Sequence, residues 1–122
     1  MELRVARQLV IARANGRCEV CGGPGYEYSH RRTRSVSGLH QHCSCNAVWS
    51  CRTCHTKMHA GPEAAREKGL HVSRYIEMPA LVPVRFITGW WKLRCDGTGE
   101  FLPDSRVVLQ DGQPIDLQSD YW

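Results

Sequence analysis

The spacing of apolar residues changes character twice along the chain. From Glu2 to Ala14 they fall at Leu3, Ala6, Leu9, Val10 and Ala14, with arginines between them, which is the spacing of one helix face. Asn15-Gly16 stops that pattern, as residues that tolerate left-handed backbone do. Residues 17–59 have no periodicity; they are dense in Cys, His, Arg and Gly and poor in aliphatics. Such a segment cannot fold around an ordinary apolar core, so metal binding has to supply much of its folding free energy. Gly61 to Gly69 (GPEAAREKG) predicts one short helix, with Pro62 suited to the first helical position and Gly69 to the left-handed exit. Further on, Val82 to Ile87, Trp90 to Arg94 and Val107 to Gln110 read as strands, punctuated by the hairpin signals Asp96-Gly97 and Asp111-Gly112. The expected architecture is a small α+β, zinc-stabilised domain. It has an N-terminal helix over 1–16, a metal module over 17–60, and a short helix plus a β-rich extension over 61–122. In that extension Trp90 and Trp91 supply apolar area.

A length of 122 residues suits one domain, and a core this small often needs a staple. Seven cysteines could be that staple as disulfides or as metal ligands. The opening MELRVARQLVIARAN carries arginine every few residues and lacks the apolar stretch of a secretion signal. A reducing cytoplasm is therefore expected, where disulfides rarely persist. No apolar run approaches the ~20 residues of a membrane span, so no membrane partner is expected. The cysteines read as ligands. Charge sharpens the picture: the net +4 is split unevenly, with nine basic and three acidic residues over 1–60 against seven and nine over 61–122. A basic half that also holds the cysteine motifs suggests a polyanion partner, a merely solvated basic surface being the alternative.

Cys18-Glu-Val-Cys21 and Cys51-Arg-Thr-Cys54 are two C-x-x-C pairs. This spacing lets two thiolates of one tight knuckle meet a single tetrahedral ion, with Zn–S about 2.3 Å. Gly22 and Gly23 permit the turn after the first pair. One C-x-x-C alone can be a redox pair; two without a thioredoxin-like βαβ pattern point to structural Zn²⁺. Cys43 and Cys45 flank Ser44. They read either as buried spare thiols, since free Cys packs as a small hydrophobe, or as a second zinc site with His40 and His42. Cys95, isolated in the β region, reads as packing.

His30 is followed by Arg31-Arg32-Thr33-Arg34, Asn46 precedes Cys51, His55 follows Cys54 directly, and His59 stands four residues on. If Cys54 opens a helix, positions 55 and 59 lie one turn apart on a single face, where two imidazoles can meet one ion. An exposed coincidence is the alternative for such a pair.

The run Cys18-x-x-Cys21-Gly22 … Ser29-His30-Arg31-Arg32 … Asn46 … Cys51-x-x-Cys54-His55 … His59 resembles the HNH endonucleases, most of all the short HNH proteins of actinobacteria and their phages. The match covers residues 17–60. The resemblance implies a ββα-metal (His-Me finger) core with His30, Asn46 and His55 as the signature residues. His30 would be the general base, since a near-neutral imidazole suits removal of a proton from water. Asn46 would brace the hairpin loop and orient His30. His55 and His59 would hold a catalytic divalent ion (Mg²⁺, Mn²⁺, Ni²⁺ or Zn²⁺) that polarises the phosphate. Arg31, Arg32 and Arg34 would clamp phosphates. Ser29 stands where the family usually has a His or Asp metal ligand, and a hydroxyl is a poor one. The C-x-C before Asn46 is a second departure.

The expected activity is metal-dependent hydrolysis of DNA, by nicking or double-strand cleavage. The resemblance also implies phage genome packaging with terminase. The alternative, favoured by Ser29, is a non-catalytic zinc module that binds DNA or a protein partner.

Overall fold

The structure is a computed structural model and describes residues 1–33 and 38–112. Helix α1, Leu3–Ala14, ends as expected: Asn15 turns left-handed at φ 54°, and the Gly16 N–H reaches back to Ile11 O at 3.0 Å. Strands β1 (Glu27–His30) and β2 (Ala47–Ser50) pair antiparallel, with Tyr28 opposite Trp49 and Ser29 opposite Val48. Helix α2, Arg52–Ala60, follows β2 after the single residue Cys51, whose sulfur accepts from the Cys54 N–H and so caps it. Helix α3 spans Pro62–Glu67. A second antiparallel sheet holds β3 (Val84–Phe86), β4 (Gly89–Leu93) and β5 (Gly99–Leu102), in that order. The fold is thus a small α+β arrangement with two small sheets. Among the described residues, no helix is long and apolar enough to cross a membrane.

Successive strand residues face opposite ways, so the β1–β2 hairpin has two covered faces. On one, Val10 of α1 packs with Ala47 and Trp49, and Tyr28 lies against them. On the other, Val48 joins Met58 of α2, Ala65 of α3, Leu70, and Val84, Phe86 and Leu93 of the second sheet. The C-terminal sheet therefore closes the same core as the cysteine-rich segment. On its far face, Trp90, Leu102 and Val107 make a small cluster of their own.

Sequence periodicity located β3 and β4 but misplaced the last strand. Val107 to Gln110 is no strand; Gly99–Leu102 takes that place, and the chain beyond it enters a short 3₁₀ turn at Asp104–Arg106. The Asp96-Gly97 turn supplies the reason. Asp96 accepts from the Thr98 N–H at 2.9 Å and hydroxyl at 2.6 Å, which folds the chain straight back, so that the residues after it pair with β4. Any hairpin closed by Asp111-Gly112 would run into residues outside the described ones.

Two arginines, Arg13 half-buried and Arg31 buried, replace much of the missing apolar core. Arg13 grips Glu19 through two bonds of 2.8 Å and donates to Ser44 O and Ala47 O. Glu19 in turn accepts from the Trp49 N–H. Arg31, 2 % exposed, donates to Gly69 O, Cys45 O, Pro79 O and Val82 O. Burial pulls its guanidinium down to about 9, so it remains charged at neutral pH. Gly69 sits at φ +70° with Pro83 O only 1.8 Å from where a Cβ would be, so no side chain fits at this junction.

Pro79 O would keep the Val82 N–H, but Arg31→Met should take the donor from the Gly69, Cys45 and Val82 carbonyls, at about 1–3 kcal/mol for each one left unsatisfied. Urea unfolding should therefore show a loss of at least about 3 kcal/mol, or no cooperative transition. Arg4→Ala, on the exposed side of α1, should stay within about 0.5 kcal/mol of the parent.

Candidate metal centres and the histidine face

Cys18, Cys21, Cys51 and Cys54 converge, with their sulfurs all within 4.8 Å of one another. Cys21 Sγ and Cys51 Sγ are 3.8 Å apart, and a tetrahedral ion with Zn–S about 2.3 Å needs sulfurs roughly 3.8 Å apart. Each pair is shaped by its own backbone: the Cys21 N–H points at Cys18 Sγ and the Cys54 N–H at Cys51 Sγ, both at 3.4 Å. Burial pushes the Cys18 and Cys54 thiols up, so free thiolates are disfavoured there unless a cation replaces the protons. The first pair lies ahead of β1, and Cys51 directly follows β2. The cluster ties the open end of the hairpin to the start of α2.

A second cluster gathers His40, Cys43, Cys45 and Cys95 within the same 4.8 Å. Here the expectations for Cys95 and His42 are corrected. The Cys95 thiol does more than pack, since its sulfur lies 3.9 Å from His40 Nδ1. His42 is outside the group, because its Nδ1 meets His30 Nε2 at 3.2 Å. Cys95 lies in the β4–β5 turn, 55 positions along the chain from His40, and no spacing rule could have joined it to the C-x-C. The Cys43 thiol is drawn down to about 4, chiefly by the hydrogen bond from Cys45, with His40 and Cys95 adding to it against the effect of burial. Both Cys/His clusters could bind structural zinc.

The helix histidines form a third group. His55 and His59, one turn apart on α2, have ring centres 4.5 Å apart, and His71 lies edge-on to His59 at 5.9 Å. Ser29 Oγ is 2.8 Å from His55 Nδ1 and 2.7 Å from Ser50 Oγ. Glu27, two residues earlier on the same face of β1, brings Oε2 to 3.3 Å from that same His55 nitrogen. Desolvation, then His59, Arg66 and His55, lowers the His71 pKa, which keeps this imidazole neutral and able to accept at physiological pH. Glu27 and His71 were missed by sequence reasoning. The signal for Glu27 was its i, i+2 relation to Ser29; for His71 there was none, because its approach depends on how α3 folds back.

His30 alternates to the other face of β1, against the Tyr28 ring at 5.2 Å, in a shallow cleft that Arg7 and Tyr26 also line. The structure thus brings Ser29, His55 and His59 together and sets His30 beside His42. Asn46, fully buried, accepts from the Arg32 N–H at 2.8 Å and donates to Arg32 O and Gln41 O. It ties the two ends of the β1–β2 connection. No family model, curated protein or solved structure matches this chain.

The expected phosphate clamp is corrected by burial. Arg31 spends its donors on backbone carbonyls, and Arg32, 4 % exposed, donates to Ile76 O. Neither presents a guanidinium to solvent. Arg34 lies outside the described residues. The exposed cations near the hairpin are instead Arg4, Arg7 and Arg17 from α1 and its exit, and Arg52 and Lys57 on α2. Arg7 stacks over Trp49 and Arg52 over Tyr26.

Because metal-binding thiolates must be deprotonated, zinc release followed with a chromogenic chelator should rise as pH falls through the acid range. Cys51→Ser should lower the zinc content.

Proposed function

We propose that the chain is a divalent-metal-dependent endonuclease of the HNH type that hydrolyses DNA phosphodiester bonds. The observation that supports this reading most is the hairpin followed at once by a helix. Its strand offers Glu27 and Ser29, its helix offers His55 and His59, and His30 is the next residue along that strand. Imidazole and carboxylate donors on a partly exposed face suit Zn²⁺, Ni²⁺ or Mn²⁺, and Glu27 would make up for the weak ligand at Ser29. A bound ion would act as a Lewis acid on the scissile phosphate and the leaving oxygen.

The chain's own residues supply the rest. His30 takes the proton of the attacking water. Its Nε2 shares one hydrogen with His42 Nδ1, which fixes the ring and selects the tautomer. The loop carrying His42 is held from behind by the Tyr28 hydroxyl, which donates to His42 O at 2.9 Å, and by Asn46. With Arg31 and Arg32 buried, phosphate contacts fall to Arg7 beside the His30 cleft and to Arg4, Arg52 and Lys57. Contacts of this kind position a duplex without reading its sequence. Phage genome packaging with terminase in the host cytoplasm is the setting this reading carries with it.

A second reading, a non-catalytic zinc module that binds DNA or protein, is favoured by one observation: the Ser29 hydroxyl is already engaged by His55 and Ser50. Nicking of supercoiled plasmid, tested with Mg²⁺, Mn²⁺, Ni²⁺ and Zn²⁺, separates the two. The wild type should nick with at least one of these ions. His30→Ala should lower the rate by about 10²–10⁴-fold, the usual loss of a general base, while zinc content and melting temperature stay unchanged. DNA binding without cleavage under any ion would establish the second reading, and full activity in His30→Ala would remove His30 from the mechanism. Arg7→Ala should weaken DNA binding and reduce its dependence on salt.

A further inference from the structure

We infer that His40, Cys43, Cys45 and Cys95 hold a second structural zinc ion, one that fastens the β4–β5 turn onto the loop leading into Asn46. The inference is independent of the nuclease reading. It rests first on shape. Cys45 Sγ and Cys95 Sγ each lie 3.9 Å from His40 Nδ1, and all four ligand atoms fit within 4.8 Å of one another. A tetrahedral zinc with Zn–S about 2.3 Å and Zn–N about 2.0 Å has ligand edges of roughly 3.5–3.8 Å, so small movements would seat the ion.

The donor set points the same way. Three thiolates and one imidazole in a tetrahedron select zinc, whereas magnesium and calcium take oxygen. The site is also closed. Cys43 and Cys45 are 3 % and 0 % exposed, and four protein ligands leave no position for water or substrate, which marks a structural ion rather than a catalytic one.

The surroundings explain what the ion would do. Residues 38–46 have no strand pairing; they form two 3₁₀ turns, Gly38–His40 and Ser44–Asn46. Their fastening to the C-terminal sheet is the Ser44 hydroxyl, which donates to Arg94 O at 3.0 Å, beside Cys95. Three thiols and a ring nitrogen at that seam, Cys43 and Cys45 buried and His40 and Cys95 half-buried, make poor mutual partners, because thiols are weak donors and weak acceptors. A cation resolves this by replacing their protons. It would join positions 40–45 to position 95, and so set the loop that carries His42 and ends in Asn46.

Zinc counting on the full chain, purified without chelator, tests the inference. Elemental analysis should find two zinc ions per chain in the wild type and one in both Cys95→Ser and Cys51→Ser. Cys95→His, which keeps a ligand at that position, should retain two. Replacement with Co²⁺ should give the wild type a spectrum that sums an S₄ and an S₃N site, with only the S₄ part left in Cys95→Ser. Hydrogen exchange in Cys95→Ser should speed up at least tenfold at the amides of Cys43 and Asn46, with little change at Cys21 and Cys54. One zinc per chain in the wild type would overturn the inference. So would an unchanged count in a folded Cys95→Ser protein. If Cys95→Ser does not fold, the wild-type count and its cobalt spectrum still decide.

Discussion

The guanidinium of Arg31 is the point from which the rest of the structure hangs. It sits at the end of β1 and binds backbone carbonyls of the 3₁₀ turn before β2, of the α3 exit, and, at Pro79 and Val82, of the segment that leads into β3. The same segments meet in the apolar core through Cys45, Leu70 and Val84, and their carbonyls at Cys45, Gly69 and Val82 take a donor from this one side chain. One planar cation with donors fanned in a fixed plane satisfies them together. This explains why an arginine that opens a basic run is almost inaccessible, and why that first position is not a nucleic-acid clamp.

The same logic extends outward. Where a larger domain would use leucine and isoleucine, this one uses directional contacts: the Arg13–Glu19 pair joins α1 to the turn before β1, Asn46 closes the β1–β2 connection, and two Cys/His clusters sit at the ends of that connection and of the hairpin. Aliphatic packing centres on one shared core, built from Val48, Met58, Leu70, Val84, Phe86 and Leu93, with two smaller clusters beside it. A core so small gives marginal stability on its own, so the polar contacts, with any ions the two clusters hold, would bear an unusual share of it. Such contacts tolerate substitution poorly, because removing one partner strands the other in the interior.

Much of this was legible in the sequence, in proportion to how local each signal is. The α1 span, the Gly69 exit, the Asp96-Gly97 turn and the paired C-x-x-C motifs each depend on neighbours within a few residues, and each is where it was expected. Joining the two C-x-x-C pairs needed one further rule, the demand of a tetrahedral ion for four ligands. Several misses involve partners brought together by tertiary packing. Cys95 meets His40 across 55 positions, and His71 reaches His59 because α3 doubles back. Arg31 and Arg32 looked like surface cations because a charged run usually is one; their burial follows from carbonyls elsewhere in the chain that no local pattern announces. The exchange of Val107–Gln110 for Gly99–Leu102 as the last strand shows a turn prevailing over β propensity.

The two faces of β1 carry a further implication. Glu27 and Ser29 look toward α2, Tyr28 and His30 away from it, and a slip of one residue against β2 would exchange them. The link between the strands, residues 31–46, is too long to fix their alignment as a tight turn does. Alignment must then be enforced from the edges: by the Arg31 N–H on Asn46 O at one end, and by the Tyr26 N–H on Ser50 O and the Glu19 N–H on Trp49 O at the other. Cys51 directly follows the last paired residue, so an ion seated with Cys18, Cys21 and Cys54 would also set which residue of β2 faces which residue of β1. Filling that site would then act as a proofreading step during folding, rejecting the misaligned hairpin in which Tyr28 rather than Ser29 faces the helix histidines.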